Sequence, residues 1–318
     1  MKLLVLFVFC AFAYTNMGAQ CCSAGNPVAG TGFESSLSKG LLQVSTSAKY
    51  SISDQFYLHD NKVDNPYIQK SSFLYQNLWL SYSFTNRFSI SAESGYFYDK
   101  SQLLLINNSP FKLGANGIGD LLVNAKFVVL KKMKPVTQLA FSAGTKIPVG
   151  AFHQSVNGVT IPVSLQPSAG AFRWTAAAYF QRLSANQQWG FASQASVELS
   201  SEINKNYLVY RYGPFYRINA GVMRKVFPKV NVSLFGVFDF RGKDTREYEE
   251  VVESSGSYSV FIQPWIQYAF RPNRILFANF DFPVYRYFLG EQIGNKCAFQ
   301  MGFRFQYSKK ECQSDSNL

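Results

Sequence analysis

Charged residues of both signs recur on the polar side of alternating apolar–polar stretches throughout this 318-residue chain. They are Glu93, Asp120, Lys126, Lys146, Arg173, Glu198, Arg211, Arg217, Asp239, Arg241, Asp281 and Arg304. Confined in one lumen, such a set has two uses. It can pair into networks that fill the interior, or it can line a constricted path that selects solutes by charge and size. Trp79, Phe235, Trp265 and Phe277 fall on the same side. They either fill space or offer stacking surfaces to aromatic and amphipathic solutes.

Other chemistries find little support. A Ser–His mechanism needs a histidine within reach of the serine. The only histidines, His59 and His153, fall in long connectors, and no serine lies in a GxSxG string. Glu249, Glu250 and Glu253 cluster in another connector and read as solvated surface. Metal-ligand spacing, a glycine-rich phosphate cradle and a dinucleotide fingerprint are all absent, so we expect no enzyme, no metal and no cofactor. The formal charge of +12 is spread along the chain without a basic helix or RNA-binding motif. It fits anionic lipid head groups or anionic solutes better than nucleic acid.

The elements that must position these residues are strands. In Phe299-Gln300-Met301-Gly302-Phe303-Arg304-Phe305-Gln306-Tyr307 every odd position is large and apolar or aromatic. Successive side chains of a strand point to opposite faces, so one face is greasy and the other wet. The same alternation predicts twelve strands, near 38–53, 71–84, 88–99, 117–130, 135–148, 169–183, 188–200, 208–225, 230–241, 256–270, 274–287 and 296–308. Each is long enough for a tilted strand to cross a bilayer, which takes about 9–11 residues. Aromatics make up 17% of the chain, with 30 Phe and 19 Tyr. That is too many for an ordinary secreted β-sandwich, and it suits strands that cross membrane–water interfaces.

The connectors sort by length. Residues 85–87, 131–134, 184–187, 226–229 and 271–273 are tight. Between them lie 54–70, 100–116, 149–168, 201–207, 242–255 and 288–295, nearly all much longer. Short periplasmic turns, long outside loops and an even strand number describe a closed antiparallel outer-membrane β-barrel with both termini in the periplasm. In lipid the backbone must satisfy its own hydrogen bonds, which excludes an open sheet. Pro148, Pro264 and Pro283 cannot donate to a ladder and should mark bulges or interruptions.

The ends fit this location. Lys2, the apolar run Leu3 to Ala13 and the small residues before Gln20 read as a signal peptide over 1–19. Residues 20–37 read as a flexible segment in the periplasm or lumen, 38–308 as the barrel and 309–318 as a periplasmic tail. Cys21, Cys22 and Cys312 would share the periplasmic side, where a disulfide is permitted. Cys297 would lie free at the opposite rim.

Several strings resemble a known family. Gly117-Ile118-Gly119-Asp120 opens a strand carrying Lys126. Lys146-Ile147-Pro148-Val149-Gly150, Leu165-Gln166-Pro167-Ser168-Ala169-Gly170, Tyr210-Arg211-Tyr212-Gly213, Gln263-Pro264, Pro283-Val284-Tyr285-Arg286 and Gly290-Glu291-Gln292 follow in order. Together they resemble the phenol-degradation (MetA-pathway) outer-membrane barrels, relatives of the FadL-like transporters. The resemblance spans roughly residues 40–308. The chain departs from FadL-like transporters in lacking a stretch long enough for an N-terminal hatch, and its tail runs past the last strand. The resemblance implies an outer-membrane channel or transporter. We expect a monomer in the outer membrane of a Gram-negative-type bacterium, with passive transport because nothing in the chain couples to energy. Its partners would be outer-membrane lipids, a small hydrophobic or aromatic solute, and the barrel-assembly machinery during biogenesis. The alternative is a filled, non-conducting barrel whose long loops bind a surface partner or secretion machinery.

Overall fold

The computed structural model describes residues 38–205 and 208–308. The signal peptide expected over 1–19, the 20–37 segment, the 309–318 tail and Cys21, Cys22 and Cys312 lie outside these residues. Inside them, alternation becomes a closed antiparallel barrel. Its ring is made of Leu41–His59, Ile68–Ser83, Phe88–Ile106, Leu121–Met133, Val136–Ile147, Arg173–Leu183, Trp189–Ser200, Phe215–Phe227, Val230–Arg241, Ser257–Arg271 and Arg274–Ser308. Pairing of the first and last members shuts it, from Leu41 opposite Ser308 to His59 opposite Phe288.

These are eleven uninterrupted runs, yet they make twelve staves. The last run is 35 residues long, on the order of 100 Å if straight. It doubles back instead. Its first part, to Phe288, pairs with Ser257–Arg271, and the remainder pairs with Leu41–His59 in the opposite direction. The two arms bond each other: Gln306 N donates to Asn273 O (2.9 Å) and Asn279 Nδ2 to Gln300 Oε1 (3.2 Å). An even count is what all-antiparallel closure requires. The 288–295 connector is therefore the tip of a hairpin that stays extended to its turn.

Outer connectors are more structured than their composition suggests. Asn61–Val63 and Ser109–Ile118 extend the ring's outer edge by pairing with Leu41–His59 and Phe88–Ile106. Glu202–Lys205, Leu208–Arg211, Thr245–Arg246 and Glu250–Val251 form a separate four-stranded sheet. The stretch expected to run from 208 to 225 is thus broken. Gly213-Pro214 separates an outer strand from the stave that begins at Phe215. Gly213 has no room for a side chain against the Gly242 carbonyl.

The outward face is apolar all round, with Leu78, Leu80, Phe141, Ile218, Leu234 and Met301 among its exposed residues. Aromatics gather in bands. Tyr216, Phe240, Tyr258 and Tyr287 follow one another across neighbouring staves with ring centroids 5.6, 4.8 and 6.2 Å apart. Near the short turns, Tyr82, Phe84 and Phe88 form a second run. A closed barrel with an apolar belt between aromatic bands is a membrane-spanning structure of the outer-membrane type. The three prolines act locally. Pro148 follows the last residue of Val136–Ile147. Pro264 lies where pairing between Ser257–Arg271 and its neighbour lapses, from Ile262–Phe282 to Trp265–Asn279, and Pro283 flanks the adjoining bulge.

Candidate functional site

Inward-facing positions carry the polar residues, and at the outer third of the lumen three staves and the break before a fourth converge on one network. Arg173 begins its stave, Lys146 and Glu198 lie near the outer ends of theirs, and Asp120 fills the break between Ser109–Ile118 and Leu121–Met133. Arg173 Nη2 donates to Asp120 Oδ2 (2.7 Å) and Nη1 to Glu198 Oε1 (2.6 Å). Lys146 Nζ closes on Glu198 Oε2 at 2.5 Å. All four side chains are at most 15% exposed. Charges so placed are costly to desolvate, and the network persists because each has a partner of opposite sign.

The 149–172 connector folds onto this network instead of standing free. Asp120 Oδ1 accepts from Ser168 Oγ (2.7 Å) and Ala169 N (3.1 Å). Tyr212 Oη donates to Ala169 O (3.0 Å), with the Arg173 guanidinium 5.8 Å from its ring centroid. Lys100 Nζ donates to Gln166 O (2.9 Å). Gln166 side-chain atoms bond Gln154 N and Ile161 O, so the connector is tied to itself as well. Leu165, Ser168 and Ala169 are buried as a result. Close approach makes Gly150 obligatory, since a Cβ there would collide with the Ile118 carbonyl oxygen.

Deeper in the lumen the charges pair two by two. Arg217 grips Asp239 with two bonds of 2.6 Å. Lys49 Nζ reaches Asp281 Oδ2 at 2.8 Å, while Gln263 donates through Nε2 to Asp281 Oδ1 and accepts through Oε1 from Trp265 Nε1 (2.8 Å). Glu93 accepts from Asn77 Nδ2 (3.0 Å), and Lys126 Nζ lies 4.9 Å from the Tyr179 ring centroid. Arg241, at an outer end, packs over Phe215 at 5.1 Å.

The periplasmic third is different in kind. Trp265 and Phe277 stack with centroids 6.0 Å apart, and Phe235, Val237 and Ala192 complete a buried apolar cluster. Arg304 lies over both Trp79 (5.9 Å) and Phe277 (5.8 Å). Below them opens a cavity of about 270 Å³.

Of the residues expected in the lumen, Asp120, Lys146, Arg173 and Glu198 meet in one cluster, and Arg217 meets Asp239. Glu93, Lys126, Asp281 and Arg304 lie elsewhere on the lumen wall. Arg211 does not belong there: it is exposed in the outer four-stranded sheet, because the Gly213-Pro214 break takes it off the stave. Lys49, Lys100, Ser168, Tyr212 and Gln263 were missed as partners. Lys49 continues the inward series Ser45, Ser47 and Ser51, and Ser168 and Tyr212 stand inside the family-like strings.

Residues 98–294 match the family described as "Putative MetA-pathway of phenol degradation". No curated protein matches. Among solved structures, the COG4313 outer membrane channel from Pseudomonas putida F1 superposes with a TM-score of 0.70 at 12% identity, over 88% of this chain and 100% of that one. The KdgM porin in complex with disordered oligogalacturonate gives 0.46 at 9% identity, covering 83% and 99%. The NanC porin gives 0.46 at 10%, covering 83% and 98%. The first of these shows a shared outer-membrane barrel fold.

Proposed function

The chain belongs to the MetA-pathway phenol-degradation family, and we propose that it is a passive outer-membrane channel for small aromatic or amphipathic solutes. The observation that carries this reading is the aromatic cluster on the lumen face. Barrel interiors of this kind are polar, yet Trp265, Phe277 and Phe235 turn inward at one level, with Arg304 beside them. Such a surface suits a solute with a flat apolar body and a polar end. The charged network above it acts as a size and charge filter at the outer entrance.

Reconstitution tests the reading. The folded barrel in planar bilayers should give discrete KCl conductance steps, partly blocked by benzyl alcohol, and liposomes carrying it should swell in small neutral solutes. Folded protein that passes neither ions nor solutes would overturn it. That result would favour the second reading, a filled barrel whose outer connectors bind a partner. The observation on its side is the 149–172 connector, which packs into the mouth through Ser168 and Ala169.

A further inference from the structure

The short-turn end of the barrel differs from the rest of the molecule in the sign of its charge. Arg87 lies in the first turn, Lys132 and Lys134 at the second, Arg182 just before the third, Arg224 just before the fourth and Arg274 just after the fifth. All but Arg274 are exposed. No aspartate or glutamate occurs in 84–91, 127–140, 178–195, 220–236 or 266–279, the five turns with the strand ends that flank them. These cations are far apart in sequence. The up-and-down course of the chain gathers them, because every second connector returns to this end. The opposite rim is mixed: Lys112 meets Asp99 at 2.9 Å, Lys296 meets Asp54 at 2.6 Å and Arg246 meets Glu250 at 2.7 Å.

Strand alternation turns several of the short-turn cations outward. Arg182 stands opposite Phe191 and Arg224 opposite Trp189 in the ladder, and residues directly opposite share a face. Phe191 and Trp189 are exposed on the apolar outer face. The Arg224 guanidinium lies 4.6 Å from the Trp189 ring centroid, and that of Arg274 lies 5.9 Å from Phe305. Other outward rings continue this level round the barrel, with Phe84–Phe88, Phe180–Phe191 and Phe270–Phe303 at 6.0, 6.3 and 6.0 Å. An aromatic band of this kind marks the depth at which hydrocarbon gives way to lipid head groups. The cations therefore stand at the depth of lipid phosphates.

We propose that this rim is a binding surface for the phosphate head groups of anionic phospholipids in the periplasmic leaflet. The aromatic band fixes the depth, and the basic side chains supply charge complementarity there. Arg224 and Arg274 offer a phosphate a planar fork of donors, while Lys132 and Lys134 act as point charges. A zwitterionic lipid makes the same contacts through its chains but carries no net charge, so the surface discriminates by head group. The proposal goes beyond solute passage and does not depend on it.

The test reconstitutes the folded barrel in phosphatidylcholine vesicles containing brominated phosphatidylglycerol or brominated phosphatidylcholine, and reads quenching of tryptophan fluorescence. In about 20 mM NaCl, phosphatidylglycerol should compete at least about threefold better for the quenching sites, and the preference should fade at about 500 mM. Combining Lys132→Gln, Lys134→Gln and Arg182→Gln should remove most of the preference. Arg246→Gln, at the outer rim, should leave it unaltered. All four positions are exposed, so the variants keep the barrel's packing. Arg224→Gln should remove a smaller share, read by native mass spectrometry of retained lipid because its neighbour Trp189 is itself a fluorophore. Equal competition by the two lipids in the unaltered barrel overturns the proposal. A preference that survives the triple change overturns its placement at the short turns. Loss of the preference on adding inorganic phosphate at constant ionic strength would make the rim a site for free anions, and so also overturns it.

Discussion

The two ends of the lumen are built from similar residue types to opposite effect. At the outer end, Arg173 and Lys146 are matched by Asp120 and Glu198, and the 149–172 connector is bolted onto Asp120. At the periplasmic end, Arg304 is held by Trp79 and Phe277, and the space beneath is lined by amides and aromatic rings. Interlocked charges tie several staves and a connector into one unit, because each buried ion keeps its place only with its partners present. Aromatic rings fill space without that mutual dependence. The first arrangement closes and rigidifies a mouth. The second leaves a recess of about 270 Å³ beneath the rings.

Breaking the outer end should have the largest effect. Asp120→Ala removes the acceptor of Ser168, Ala169 and Arg173 at once. Deleting one partner of a buried ion pair costs about 3–5 kcal/mol. The urea midpoint of the folded barrel should fall accordingly, and KCl conductance should rise several-fold as the 149–172 connector loses its anchor. Unchanged conductance in a folded variant would mean that this connector does not limit the path. Gly302→Ala strikes the inner end through packing alone. The added methyl would stand 2.5 Å from Ser47 Cβ and from the Thr46 carbonyl oxygen, and 2.6 Å from the Phe277 ring, and overpacking of this sort costs about 1–3 kcal/mol. Its conductance should stay near that of the unaltered barrel while the unfolding midpoint falls. An unaltered midpoint would show that neither the ring nor the neighbouring stave is wedged against Gly302.

Much of this contrast was readable in the sequence, and the unread part has a common cause. Period-two alternation determines which side chains face inward, so Arg304, Glu198 and Trp265 were assignable to the lumen. The even strand count also followed, although the hairpin at 288–295 is extended where a loop was expected. Alternation says nothing about what a connector does once it leaves the ring. The burial of Ser168 and Ala169 against Asp120 depends on contacts 48 and 49 residues apart in sequence. Strings resembling the family, around Asp120, Gly150, Ser168 and Tyr212, turn out to meet at this one place. Their order in the chain gave no sign of it. Arg211 failed for the opposite reason: polar–apolar alternation continues through 208–211, but the Gly213-Pro214 break moves that segment into another sheet.

A milder change sharpens the inner half of the comparison. Trp265→Ala removes a ring that lines the cavity while leaving Arg304 in place. Affinity for benzyl alcohol should drop about tenfold, equivalent to about 1.4 kcal/mol. An unaltered affinity would mean that the solute does not stack on Trp265.

The smallest effect is expected outside the lumen, where an ion pair of similar geometry has a different setting. Arg246 and Glu250 meet at 2.7 Å, the distance of the Arg173–Asp120 contact, yet their side chains are 52% and 60% exposed. Water already solvates both partners, so their union gains little and loses side-chain freedom. Arg246→Ala should therefore leave the unfolding midpoint, the conductance and benzyl alcohol affinity unchanged within error. A measurable loss of conductance would place the outer four-stranded sheet over the mouth. The comparison would then have to include that sheet, with Arg246 acting on the solute before it reaches Asp120 and Arg173.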